Sequence, residues 1–214
     1  MSKKIDELIT NAGLAISNSL QNDKLQQMLV VFCYTTEELG EGKALLENAV
    51  TLNTRHQKEY GEQFQATEEV RGKIEEACGP YITFIKIARV AFAKEPGAWT
   101  ALGLSGERKE SYSRLLAQFN QFYTNLKGNE QWLAKIAVYG ITTEKLDAGE
   151  ALANEVEDAL NIQKVETGEA QEATRLRDKA ADTLQEWYSD FIAIARIALE
   201  DKPQYLEMLR IVKK

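Results

Sequence analysis

An all-α fold built from two tandem helical repeats is predicted by three observations. First, the chain falls on itself under a shift of 107, half of its 214 residues, and 25 of 107 positions match with no gap, where unrelated chains of this composition would match at about six or seven. Second, apolar residues recur at three-four spacing over stretches far longer than strands. Third, the chain has only three prolines and is rich in Ala, Leu, Glu, Lys and Gln, which favour helix. A tandem repeat is decisive for architecture. It divides the chain into helical repeat 1, residues 1–107, and helical repeat 2, residues 108–214, intertwined as one structural unit.

Each repeat reads as four helical pieces. The first spans about Ser2 to Leu20, with helical spacing at Ile5, Leu8, Ile9, Ala12 and Ile16. Its counterpart spans Glu107 to Lys127 and carries Tyr112, Leu115, Leu116, Phe119 and Tyr123. Gly128 follows it, where a left-handed residue is expected after a helix end. Asn22 and Asn129 then stand where an N-cap oxygen accepts from the free N–H groups of a first turn. They open a short second helix that closes near Cys33 and Gly140.

The third piece is long. Thr35 or Thr36 caps it, and Glu37 and Glu38 suit the positive end of the helix dipole. Thereafter the seam runs Leu39, Gly42, Leu46, Ala49, Asn53, His56, Tyr60, Gln63, Thr67, Val70, Ile74, Ala77, Tyr81, Phe84, Ala88 and Ala91. In the second repeat the seam runs from Leu146 and Gly149 through Gln163, Thr167, Thr174 and Arg177 to Tyr188, Phe191, Ala195 and Ala198. This is coiled-coil spacing, and a helix of about 58 residues would span roughly 87 Å. Gly79-Pro80 should kink the first copy. Pro96 and Pro203 each start a short fourth helix.

The second long helix must begin near the end of the first, so the two should run antiparallel. Each end then gathers one repeat's first two helices, the start of its long helix and the end of the other. The expected shape is a dumbbell-like elongated bundle, with an axis near Phe64 and Gln171 and polar seam residues at the middle that set register. The competing arrangement folds each long helix back at Gly61 and Gly168, although a lone glycine within a helical pattern is tolerated.

A net charge of −7 opposes an electrostatic grip on nucleic acid or on an anionic membrane surface. No stretch reaches the roughly 18 apolar residues of a membrane span. The second repeat has Gly140 and Gln185 where the first has Cys33 and Cys78. A disulfide framework would recur in each copy, so these read as two free, buried thiols in a reducing, cytoplasmic compartment.

The chain has one histidine, which removes the paired Glu-x-x-His motifs of a di-metal carboxylate bundle. Glu59, Glu62, Glu166 and Glu169 have the spacing of a carboxylate-only cluster near the axis, and a solvated helix face has the same pattern. His56 lies more than 20 residues from either cysteine, about 30 Å along a helix, so no Cys–His pair is expected. No metal, cofactor or catalytic residue is assigned.

The most pointed motif is Tyr81-x-x-Phe84-Ile85-x-Ile87-Ala88-Arg89-x-Ala91, repeated from Tyr188 to Ala198 around Arg196. Arg89 and Arg196, with Tyr81 and Tyr188, are the candidate ligand-binding residues, since a guanidinium fork can take a carboxylate. The competing reading is an arginine that snorkels or caps a neighbouring helix end. Trp99, Trp132 and Trp187 read as packing.

Three motifs taken together carry a resemblance: Thr-Thr-Glu-x-Leu, Gly-Glu-x-x-x-Ala-Thr, and Phe-Ile-x-Ile-Ala-Arg-x-Ala with its following Pro. Over most of each repeat the chain resembles bacterial tandem helical-repeat proteins of the coiled-coil-like kind, an uncharacterised group. The resemblance implies helical packing and brings no reaction or site residues with it.

The expected function is a non-enzymatic helical scaffold or protein-interaction module, acting on a protein partner or by self-association. The alternatives are a small-anion or carboxylate binder around Arg89 and Arg196, and a membrane-active protein using Tyr81–Phe92, a stretch burdened by Lys86 and Arg89.

Overall fold

The computed structural model describes residues 2–106 and 111–211, and among them the fold is all-α, with helices joined by short turns and no strand. The elements are α1 (Ser2–Gln21), α2 (Asp23–Leu29) with a 3-10 turn (Val30–Phe32), α3 (Thr36–Ala91), α4 (Pro96–Ala101), α5 (Tyr112–Lys127), α6 (Glu130–Ala137), α7 (Thr143–Ala198) and α8 (Pro203–Met208). The expected start of the fifth helix at Glu107 lies outside the described residues.

Local chemistry sets most of these ends. Asn22 Oδ1 accepts from Leu25 N at 3.0 Å, and Asn129 Oδ1 from Trp132 N at 3.1 Å. Thr35, rather than Thr36, caps α3: its Oγ1 accepts from Glu38 N at 3.2 Å. Pro96 and Pro203 occupy first turns, where the missing N–H costs nothing. Gly128 departs from expectation. Its φ is −74°, so α5 closes on a right-handed residue whose N–H donates to Thr124 O at 3.0 Å. With Asn129 capping α6 directly after it, no left-handed turn is needed.

α3 and α7 are each one continuous helix of 56 residues. The hairpin expected as an alternative at Gly61 and Gly168 does not form, because neither glycine has a partner residue able to break a helical run. Gly79-Pro80 does not end α3 either. Pro80 deprives the Glu76 carbonyl of its amide partner, and Thr83 Oγ1 donates to Gly79 O at 3.3 Å.

Two compact units result. Unit 1 holds Met1–Gly61 with Gly168–Lys214; unit 2 is Glu62–Thr167. In unit 1, Ile5, Leu8, Ala12 and Ile16 of α1 pack with Ala49 of α3 and with Ala180, Ala181 and Leu184 of α7. A second cluster joins Leu25, Leu29 and Leu39 to Phe191, Ala195, Leu206 and Leu209. In unit 2, one larger cluster unites Tyr81, Phe84, Ala88 and Phe92 of and after α3 with Phe119, Phe122 and Tyr123 of α5 and Leu146, Ala153 and Val156 of α7.

Within each unit the long-helix segments run antiparallel. Gly42 meets Trp187 and His56 meets Arg177 in unit 1; Phe84 meets Gly149 and Lys73 meets Glu155 in unit 2. In both pairs a rising number on α3 faces a falling number on α7. The expected seam is the inner face almost throughout, from Leu39 to Ala91 and from Leu146 to Ala198. Tyr60 is the exception. It is exposed, and Glu59 is buried in its place, 3.5 Å from Arg55. The departure lasts one turn only, since Gln63, Thr67 and Val70 return to the inner face.

One pair of side chains holds the short helices. Asn18 Nδ2 donates to Met208 O at 2.6 Å, closing α8 onto α1; its counterpart 107 residues on, Asn125, donates to Ala101 O at 2.7 Å, closing α4 onto α5.

Candidate functional site

Exposed apolar residues at matching positions of the two units mark the clearest candidate. After α2, Leu25 and Leu29 point inward and the 3-10 turn carries Val31 outward, 75% exposed. After α6, Ile136 points inward and Val138 outward, 83% exposed. Val31 and Val138 are counterparts, as are Phe32 and Tyr139, and both of these aromatics are also exposed.

The backbone forces this display. Cys33 has φ 67° and Gly140 φ 79°, a left-handed turn that reverses the chain toward the long helix. Cys33 N donates to Val30 O at 3.1 Å, and Gly140 N to Ala137 O at 2.9 Å. Glycine takes this conformation freely, while cysteine holds it at some cost. In unit 2 the turn is further braced by Lys145 Nζ, which donates to Gly140 O at 2.8 Å. These apolar tips escape the seam pattern because they lie off it; the recurrence of valine at 31 and 138 was the available signal.

Cys33 is therefore exposed, not buried as expected, because it terminates the turn instead of lying on an inner face. Cys78 is buried in unit 2.

Of the residues expected to bind a ligand, Tyr81 and Arg89 line one cleft in unit 2. Arg89 also behaves as the structural alternative foresaw: its Nε donates to Leu104 O at 2.8 Å and its Nη2 to Gly106 O at 2.9 Å. Both carbonyls lie just beyond α4. Tyr81 is 6% exposed and makes edge contacts with Phe119 at 4.7 Å and Phe122 at 5.6 Å. Burial pushes its hydroxyl up to about 12, with Cys78 adding and Arg89 opposing, so the phenol stays neutral. In unit 1, Arg196 is exposed and has no ion pair among the described residues. Tyr188 is half-buried and packs against both clusters of that unit. Burial raises its pKa, and Arg210 opposes the rise.

The tryptophans are packing residues, as read. Trp99 Nε1 donates to Phe92 O at 2.8 Å, Trp132 meets Phe92 edge-on at 6.0 Å, and Trp187 stacks on Phe191 at 5.4 Å.

The single histidine is engaged. Arg177 Nη1 lies 3.1 Å from His56 Nδ1 and 2.9 Å from Nε2. A guanidinium only donates, so it needs the lone pair of a neutral imidazole. Burial lowers the His56 pKa and Arg177 lowers it further, against a smaller opposing pull from Asp178. Asp178 Oδ1 in turn accepts from Arg177 Nε at 2.9 Å and Nη2 at 2.6 Å.

Compared with known protein families, characterised proteins and solved structures, the chain matches none. No described helix is long and apolar enough to cross a membrane.

Proposed function

We propose that the protein is a non-enzymatic interaction module whose two units each offer an apolar tip to a protein partner. The observation that carries this reading is the matched exposure of Val31 with Phe32 and of Val138 with Tyr139. Scattered exposed apolar residues are ordinary, and a recurring cluster on a braced turn is not. Aromatic and aliphatic side chains standing clear of the body suit insertion into an apolar pocket, which concentrates binding energy in few residues. Duplicated tips would add avidity wherever both can engage. The engagement of His56 by Arg177 further disfavours its use as a general base.

The test is affinity purification of the full chain from its own cell, with Val31→Asp/Val138→Asp as the comparison. The expected result is a defined protein retained by the wild type and lost by the double variant, with helical circular dichroism unchanged in both. Equal retention by the two would sink the reading. Sedimentation velocity on the purified chain decides whether the partner is a second copy: mass that doubles with concentration, and fails to in the variant, identifies self-association.

A further inference from the structure

We infer that unit 2 carries a binding site for a small amphiphilic carboxylate, in the cleft formed by the last turns of α3, the segment after α4, and α5. The site is independent of the apolar tips and rests on a different set of residues.

The cleft has a volume of about 260 Å³ and is lined by Tyr81, Ile82, Ile85, Lys86, Arg89 and Gln118, with Gly103 and Gly106 at its edge. A cleft of this kind suits a head group with a short tail. Two features give it polarity. Lys86 and Arg89 both line it, and among the described residues neither is paired with a carboxylate, in a chain with 33 acidic residues against 26 basic ones. Among the described residues, opposite charge is therefore missing beside both cations.

Arg89 is also held in place. Its bonds to Leu104 O and Gly106 O use Nε and one N–H of Nη2, and among the described residues the rest of the five-donor fork has no partner. A guanidinium fixed in this way loses little freedom on gripping a carboxylate. The neutral Tyr81 hydroxyl supplies a further donor. Ile82 and Ile85 supply an aliphatic wall, which favours a carboxylate with a hydrocarbon tail over inorganic phosphate.

The corresponding surface of unit 1 lacks these parts. Positions 107 residues on replace Ile82 by Ser189, Lys86 by Ala193 and Gly103 by Arg210. Gly103 and Arg210 share a left-handed backbone, φ 62° and 58°, so the turn is kept while a large side chain stands where the cleft has none. The site therefore belongs to one unit only, although the Tyr and Arg of the motif occur in both.

The probe is octanoate, titrated against the full chain and followed by the methyl resonances of Ile82 and Ile85. Saturable one-to-one binding is expected, with a dissociation constant of about 1 mM or tighter for a ligand of this size. Lys86 is exposed, so Lys86→Met keeps the fold and should weaken binding by about tenfold, the loss of one charge-assisted contact. Lys86→Arg should restore it, and Arg196→Leu should leave it unchanged. The inference is overturned if the methyl shifts never saturate, if octan-1-ol binds as tightly as octanoate, if Lys86→Met has no effect, or if Arg196→Leu abolishes binding.

Discussion

Unit 1 and unit 2 keep the same holes and fill them differently. Gly42 and Gly149 are counterparts on the inner face of the long helices, and a Cβ at either would collide with an aromatic ring. At Gly42 the ring is Trp187, from α7. The residue 107 positions before Trp187 is Pro80, too small to reach across. Unit 2 fills the space from another helix: Tyr123 of α5 brings its hydroxyl against Gly149, with Phe84 beside it. The polar layers diverge likewise. Unit 2 joins its long-helix segments with a neutral bond, Gln163 Nε2 to Thr67 Oγ1 at 3.1 Å, beside a fully buried Val70. Unit 1 has Arg177 where unit 2 has Val70, and His56 where it has Gln163. A duplicated backbone tolerates this exchange because packing asks for volume and satisfied polar atoms, not for particular residues.

The largest test of that contrast is Trp187→Ala. It empties the space over Gly42 and should destabilise the protein by about 3–5 kcal/mol, read as a shifted denaturant midpoint with little change in slope. A cost under about 1 kcal/mol would mean the indole does not fill the hole. Gly42→Ala should follow, at about 1–3 kcal/mol from overpacking against a rigid indole. Gly149→Ala should cost a similar amount, but Tyr123→Phe should rescue part of it, since the hydroxyl is the nearest obstacle. Absence of rescue would show that Phe84, or the ring itself, sets the limit.

The polar layers predict a pH dependence belonging to unit 1. The His56 pKa is lowered in the folded state, so below the unfolded value of about 6.5 the unfolded chain binds the proton more readily. Stability should therefore be level above about 6.5 and fall as pH drops below it, until the folded pKa is passed. His56→Gln, which copies the counterpart in unit 2, should flatten the part of that slope just below about pH 6.5. An unchanged slope would remove His56 as its cause. The smallest effect is expected from Tyr123→Phe alone. Among the described residues the buried Tyr123 hydroxyl has no hydrogen-bond partner, and deleting such a group should shift stability by less than about 1 kcal/mol, in either direction.

Much of this architecture was readable in particular residues. The asparagine caps, Thr35, the prolines at 96 and 203, and the inner faces of α3 and α7 all follow from patterns within a few turns of one helix. The failures share a cause. Cys33 was expected to be buried and Gly128 left-handed, and in both cases the neighbouring turn decided otherwise. Tyr60 lost its inward position to Glu59 for one turn, and the seam resumes at Gln63. At the candidate sites, the sequence showed Tyr81 and Arg89 as a repeated pair, yet could not show that Lys86 and Ile82 make one member of the pair a cleft. The tips at Val31 and Val138 were visible only as an unexplained identity.

Helix class, caps and inner faces were determined by the sequence alone, because they depend on hydrogen bonds and periodicities spanning four to seven residues. Tertiary structure decided that Trp187 fills the space over Gly42 while Tyr123 fills that over Gly149. It also decided that Arg177 claims His56 and that Arg89 is tethered to two carbonyls. Those partners lie between 15 and 145 residues apart in the chain, and no local spacing encodes which side chain will arrive to fill a given hole.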